Sequence, residues 1–369
     1  MPSSLGSLPD PLVTPQGTRV TSREQWEVVQ RPYILKWFRD HVYGREPRMH
    51  LAHVAFRVTV QNNILQGKTI IRKDVEISIE GPHGVSVMHV LVFLPAAHGD
   101  QVPVFLVMYL RPSEVADPSQ GSTSEFSPVH DLLRHGYGVA TFYTDDLDPD
   151  VDDGFRNGVH GIFEPPGSKR PDHAWGTIAA WAWGASRVMD YLETDADVDA
   201  SRVALVGHSR LGKTALWAAA MDRRIAMVVS SNSGCTGAAI ARGKRGETIR
   251  DINTRFPHWF CENYKRFNGR EGDLPVDQHM QLALIAPRLL YVTSASRDEW
   301  ADPLAEFLSV TMQRPVYQLY GFQGLVSRGD PYPDIPLVAD RIGYHVRTGD
   351  HGLTEFDWKC LIAFADTHL

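Results

Sequence analysis

The stretch "VALVGHSRLGKTALWAAAMD", Val203 to Asp222, decides how this chain folds. Its first residues are apolar without polar alternation, the mark of a strand buried on both faces. An alanine-rich run of helical composition follows, and a Gly-His-Ser-Arg-Leu-Gly-Lys bend joins the two. A serine at the tip of such a strand-to-helix turn is held clear of the sheet. The backbone N–H of Arg210, next in the chain, starts a helix and has no carbonyl one turn earlier to bond, so it is available to an anion.

The same rhythm continues on both sides of the bend. Upstream, "VPVFLVMYL", "VHDLLRHGYGVATFYT" and the tryptophan-rich "WGTIAAWAWGASRVMDYLETD" alternate short apolar runs with helical segments. Downstream, "IAMVVSSNS", "RLLYVTSAS" and "PVYQLYG" read as further buried strands, and "TEFDWKCLIAFADTHL" as a closing amphipathic helix. Alternating β and α with wholly apolar strands predicts a mostly parallel central sheet covered on both faces, an α/β three-layer αβα sandwich. Between Val54 and Pro95 the period drops to two, in "VAFRVTV", "DVEISIE" and "SVMHVLVFLP" with "GPHG" as a turn, which predicts antiparallel N-terminal strands. Ahead of them "YILKWFRDHVYG" predicts a covering helix stopped by glycine.

Residues 1–30 are polar and proline-bearing and read as an N-terminal extension. No repeat, low-complexity tract or linker divides the rest, so 31–369 read as a single catalytic domain. Its Gly-x-Ser bend resembles the nucleophile elbow of the α/β-hydrolases. The familiar pattern carries a second glycine two residues after the serine; here Leu211 stands there and Gly212 follows.

Composition narrows the function. A formal charge of −7 with no basic block argues against nucleic-acid binding, which depends on clustered Lys and Arg. No apolar run approaches the ~20 residues that span a bilayer, and "MPSSLGSLPDPL" has neither the basic start nor the apolar core of a signal peptide. Cys235, Cys261 and Cys360 lack metal-ligand spacing and read as free, buried thiols. With no HExxH, CxxC pair or Walker loop, neither metal nor cofactor is expected. "DDLDPDVDDGFRNG" imitates a calcium loop from Asp148, but its glycine falls one residue late and Val159 stands where a bidentate Glu should close the site. It reads as a solvated or internally bonded acidic loop.

A serine nucleophile needs a base, and the base needs an acid that fixes its tautomer. In this fold they follow in the order Ser, acid, His, on loops at the carboxyl ends of later strands. His351 lies in a Gly-Asp-His-Gly loop between strand-like "IGYHV" and the last helix, the expected place for the base. "YVTSASRDEWADP" offers Asp298, Glu299 and Asp302 just beyond a buried strand. Asp302, immediately before Pro303, suits a helix N-cap, and Asp298, first past the strand, is the expected acid beside Ser209 and His351.

The stretch G-H-S-R-L-G-K resembles the G-x-S-R-x-G-K signature of the glucuronoyl esterases, carbohydrate esterase family 15. "SNSGCTGAA", "DINTRFPHWF", "LIAPRLLYVTSASRDEWADP" and "IGYHVRTGDHGLT" resemble segments of its bacterial branch, and the likeness runs over roughly residues 30–369. The resemblance implies hydrolysis of esters between (4-O-methyl)glucuronic acid on xylan and lignin alcohols. It implies that the Arg210 side chain joins its N–H in stabilising the oxyanion, that Lys213 holds sugar hydroxyls, and that Glu247 and Trp300 contact the sugar. His258 and Trp259 either line the pocket or pack in the core. Where some members carry a catalytic glutamate, this chain has Asn232; others use an aspartate one strand later, which Asp298 matches. A secreted or periplasmic location and a monomeric state are expected with a glucuronoxylan or lignin-carbohydrate ester as partner. The competing readings are an acetylxylan or general carboxylesterase, and a catalytically silent carbohydrate-binding protein on the same fold.

Overall fold

The computed structural model describes residues 8–47, 52–65, 68–97, 99–110, 128–165, 167–326 and 329–369. Its strands are β1 (His53–Leu65), β2 (Lys68–Gly81), β3 (Gly84–Pro95), β4 (Val102–Tyr109), β5 (Gly138–Tyr143), β6 (Val198–His208), β7 (Met227–Ser231), β8 (Leu289–Ala295), β9 (Leu337–Ala339) and β10 (Ile342–Arg347). They form one sheet in the order β1-β2-β3-β5-β4-β6-β7-β8-β10-β9. The run from β5 to β10 is parallel, while β1, β2, β3 and the short β9 pair antiparallel with their neighbours.

The apolar runs are continuous because both sheet faces are covered. In β4, Val104, Leu106 and Met108 join one core cluster, and Phe105, Val107 and Tyr109 the other. Helices Thr177–Leu192 and Arg210–Met221 cover the first face. Val129–Arg134 and the C-terminal helix Glu355–His368 cover the second. Trp181, Trp217 and Trp358 are at most 1% exposed, each burying roughly 150–250 Å², or about 4–6 kcal/mol of gross hydrophobic stabilisation. The β2–β3 turn falls at Pro82–His83, where Gly81 pairs with Gly84.

One local feature differs from the sequence reading. "PVYQLYG" is not a strand: Arg314–Gln318 is helical, with Pro315 in its first turn and Val316 and Tyr317 buried. Short apolar runs have no decisive period, Pro fits a helix start, and the place beside β8 is taken by β10. From residue 8 onward the N-terminal segment packs on the body: Trp26 is fully buried, and Gln30 Nε2 donates to the carbonyls of Pro11 and Val13. Residues 1–7 of the expected extension lie outside the described residues. Among the described residues no helix is long and apolar enough to cross a membrane, and all three cysteines are free thiols, with Cys360 only partly buried.

Candidate active site

β6 ends at His208 and the helix Arg210–Met221 begins two residues on, so Ser209 makes the whole turn. It adopts φ 57° and ψ −123°, a conformation that costs a residue with a side chain about 1–3 kcal/mol. Its surroundings impose this. The Ser209 N–H donates to the Ser231 carbonyl at 2.8 Å, and the Ser209 carbonyl accepts from the Gly212 N–H at 2.9 Å. A Cβ at Gly207 would stand 1.9 Å from the Leu211 carbonyl oxygen, and one at Gly212 would stand 2.9 Å from Ser233 Cβ. Close approach therefore occurs at positions 207 and 212. Leu211, where the usual motif has glycine, needs no such room and is buried in the core.

The loops after β8 and β10 bring the base and acid together. His351 Nδ1 lies 2.6 Å from Asp298 Oδ2. An ionised carboxylate only accepts, so Nδ1 carries the proton and Nε2 is left as the base. Burial would raise the Asp298 carboxyl, but the hydrogen bond and charge of His351 and the Ala301 N–H outweigh it and hold the group below the ordinary carboxylate range. Arg347 fixes the histidine loop by donating to the Asp350 and Gly352 carbonyls at 2.6 and 2.7 Å, and is itself held by the buried Asp357 at 2.9 Å. Among the described residues no hydrogen bond joins Ser209 to His351 Nε2, yet both line one cavity; such contacts often tighten only with substrate. Glu299 lines a neighbouring cavity instead, and Asp302 caps the helix Pro303–Met312 by accepting from Ala305 N–H at 3.2 Å.

Asn232, at φ 47°, sits where a second acid would stand. In one amide orientation its Nδ2 donates to Asp298 Oδ2 at 3.3 Å. In the other it donates to Ser231 Oγ and the Gly352 carbonyl and accepts from Ala295 N–H. The second satisfies more buried groups, and in it the amide ties the end of β8, where the acid loop begins, to the histidine loop. His208 lies with its ring 4.6 Å from that of His351. Burial, with the charge of His351 second, pushes His208 down to about 3, so it stays neutral beside the base.

The acidic loop after β5 carries the feature that the sequence reading missed. Asp150 is neither solvated nor bonded only within its loop: its Oδ2 pairs with Arg210, and its Oδ1 accepts from Trp259 Nε1 at 2.7 Å and lies 3.0 Å from His258 Nε2. Burial works against ionisation of Asp150, and these partners outweigh it and lower its pKa. Nearby Asp148 is anchored by Thr177 Oγ1 at 2.5 Å, while its carbonyl accepts from Trp181 Nε1 at 2.8 Å. The Arg210 guanidinium is thereby clamped over the Trp259 and Phe256 rings, 4.7 and 5.2 Å from their centroids. Its Nε is buried and has no hydrogen-bond partner among the described residues.

Ser209, Arg210, Lys213, Glu247, Asp298, Trp300 and His351 all line one cavity of about 280 Å³. Lys213 Nζ is nearly buried and donates to the Ser233 and Cys235 carbonyls at 2.5 and 2.7 Å, with Glu247 Oε2 3.8 Å away. Burial lowers its pKa and Glu247 opposes this. Trp300 is 47% exposed and forms the rim, with the Arg255 guanidinium 5.4 Å over its ring. Trp259 lines the cavity, whereas His258 does not. The His258 and Trp259 carbonyls accept from Thr177 and Ile178 at the start of the helix Thr177–Leu192, which turns the imidazole toward Asp150. Of the two places left open for His258, the structure shows it packed behind Arg210, against Asp150, rather than lining this cavity.

This constellation has known relatives. A family model described as fungal glucuronyl esterase matches residues 161–321. The chain is 40% identical to carbohydrate esterase MZ0003 from an unknown prokaryotic organism, over 98% of this chain and 90% of that one. It is 28% identical to a 4-O-methyl-glucuronoyl methylesterase of Thermothelomyces thermophilus, over 85% of this chain and 72% of that one. The solved glucuronoyl esterase from Solibacter usitatus superposes with a TM-score of 0.89 at 39% identity, covering 98% of this chain and 97% of its own. Elbow, loops and relatives thus agree that the chain belongs to the glucuronoyl esterases, carbohydrate esterase family 15 of the α/β-hydrolase superfamily.

Proposed function

We propose that the chain is a serine esterase that cleaves esters of (4-O-methyl)-D-glucuronic acid, of the kind that join lignin alcohols to glucuronoxylan. The observation that carries this is one cavity holding both a hydrolytic set and a sugar grip: Ser209, Arg210, Asp298 and His351 beside Lys213, Glu247 and Trp300. Buried ammonium and carboxylate groups suit hydroxyls, and an exposed indole suits the apolar C–H face of a pyranose. The names of the relatives describe the same chemistry.

In the reaction Ser209 Oγ attacks the ester carbonyl as His351 Nε2 takes its proton. Asp298 holds Nδ1–H in place and stabilises the imidazolium. The carbonyl electrons move to the oxyanion, which meets the Arg210 N–H and guanidinium; a donor of this type contributes about 3–4 kcal/mol to the transition state. The C–O bond to the alcohol then breaks, and the imidazolium returns the proton to the leaving oxygen. Water, activated by the same imidazole, hydrolyses the glucuronoyl-Ser209 ester and restores the hydroxyl. Since such cell-wall polymers lie outside the cell, the reading places the protein in a secreted or periplasmic setting.

The test compares benzyl glucuronate and p-nitrophenyl acetate, with Ser209→Ala as control. Hydrolysis of the glucuronate ester that vanishes in the control is expected. Turnover of acetate alone would favour a general carboxylesterase, and turnover of neither by the folded wild type would leave only a binding protein.

A further inference from the structure

Behind the cavity lies a carboxyl group to which the mechanism gives no task. Glu306, on the helix Pro303–Met312, is fully buried. Its Oε2 accepts from Ser294 Oγ of β8 at 2.6 Å, and its Oε1 from the Gly234 N–H at 2.9 Å and Ser233 Oγ at 3.4 Å. The turn it grips is strained: Asn232, Gly234 and Thr236 all have positive φ, at 47°, 57° and 57°. That turn also presents the Ser233 and Cys235 carbonyls to Lys213 Nζ. One carboxylate and one ammonium therefore hold the same short turn, the first at Ser233 and Gly234 and the second at Ser233 and Cys235.

We propose that Glu306 is a positioning residue for sugar recognition: its carboxylate fixes the Ser233–Cys235 turn, and the turn's carbonyls set where the Lys213 ammonium stands in the cavity. The inference rests on the proposed action on glucuronate esters. The group acts through the backbone and touches no substrate. Buried carboxyls are rare without partners, and these partners all belong to the segment that carries the lysine's acceptors or to the strand beneath it.

The charge of Glu306 changes in a useful range. Burial pushes it up to about 7; Ser294 and the Gly234 N–H pull it down, Asp298 pushes it up and Lys213 pulls it down. Tyr344 Oη donates to Ser294 Oγ at 3.1 Å and completes the polar surroundings, with Asp302 capping the same helix. The ionised fraction of a group titrating there rises from about a tenth at pH 6 to about nine tenths at pH 8. Only the ionised form accepts fully at both oxygens and opposes the Lys213 charge.

The experiment measures kcat/KM for benzyl glucuronate divided by kcat/KM for p-nitrophenyl acetate between pH 6 and 8. A pH effect on the chemical step common to both substrates cancels in the ratio, and so does a general loss of structure. In the wild type the ratio should rise up to about tenfold across this range. In Glu306→Gln it should stay flat at the low value. A flat wild-type ratio, or a Glu306→Gln ratio that follows the wild type, overturns the proposal. If Glu306→Gln does not fold, Ser294→Ala removes a bond that favours the carboxylate and should move the inflection to higher pH; an unmoved inflection overturns it equally. A wild type active on acetate but not on benzyl glucuronate refutes the proposed function itself, a different result from loss of the pH effect.

Discussion

Replacing Asp150 by Asn tests the clamp on Arg210 while keeping side-chain shape. In the native protein one carboxylate oxygen pairs with Arg210 and the other serves Trp259 Nε1 and His258. An amide retains one acceptor and turns an NH2 toward a donor. If its oxygen stays with Trp259, the guanidinium loses its ion pair and meets a like dipole, and only the stacking on Trp259 and Phe256 remains. Complete loss of an oxyanion donor costs about 3–4 kcal/mol. Here the donor is loosened and the Arg210 backbone N–H persists, so the expected drop in kcat is about 10- to 100-fold, or about 1.4–2.7 kcal/mol. KM for benzyl glucuronate should hold, because Lys213, Glu247 and Trp300 do not contact Asp150. The oxyanion is common to all esters, so p-nitrophenyl acetate should lose as much. Steady-state kinetics on both substrates, with circular dichroism to verify folding, decide the matter. A folded variant with kcat within twofold of wild type, or a loss confined to the glucuronate, would refute the clamp.

Asp298→Asn should cost about 10⁴-fold in turnover by leaving His351 in the wrong tautomer, with Glu299→Gln close to wild type; the reverse order in a kinetic comparison would reassign the acid. Lys213→Ala should raise KM for glucuronate esters about tenfold or more and change acetate turnover little, and equal losses on both would remove its sugar role. Acid stability follows from carboxylates held low: burial opposes ionisation of Asp40 and Glu164, but Arg45 and Lys36, and His160 and Arg170, outweigh it and bring each to about 2. Their folded pKa values lie below the unfolded ones, so their stabilisation is complete above about pH 4.5 and is lost as pH falls toward 2. Thermal melts should show Tm dropping between pH 4.5 and 2.5; an unchanged Tm over that range would contradict it.

The sheet was legible because burial on both faces leaves a trace in single strands: "RVALVGH" and "RLLYVTSA" have no polar face to show. The grouping of Ser209, Asp298 and His351 was legible because topology assigns each a loop, and the structure brings the three to one cavity. Asp150 was not, since its partners lie 60 and 108 or more residues away and an acid in "DPDVDDG" looks solvated. No local signal distinguishes it. Glu306 did leave a trace: it shares a helical face with Val310 and adjoins Phe307, all buried, so an acid interrupts an apolar stripe. "PVYQLYG" failed for the opposite reason, a run too short for its period to be read.

The backbone at residue 209 has a wider implication. A conformation that glycine would adopt with less strain is occupied there by a side chain, and the hydroxyl it bears is the one this chemistry requires. Selection for a sturdier molecule and selection for a working one therefore pull in opposite directions at a single codon. The deep Gly207 and Gly212 contacts that enforce the bend are what keep the chain from settling that conflict by relaxing.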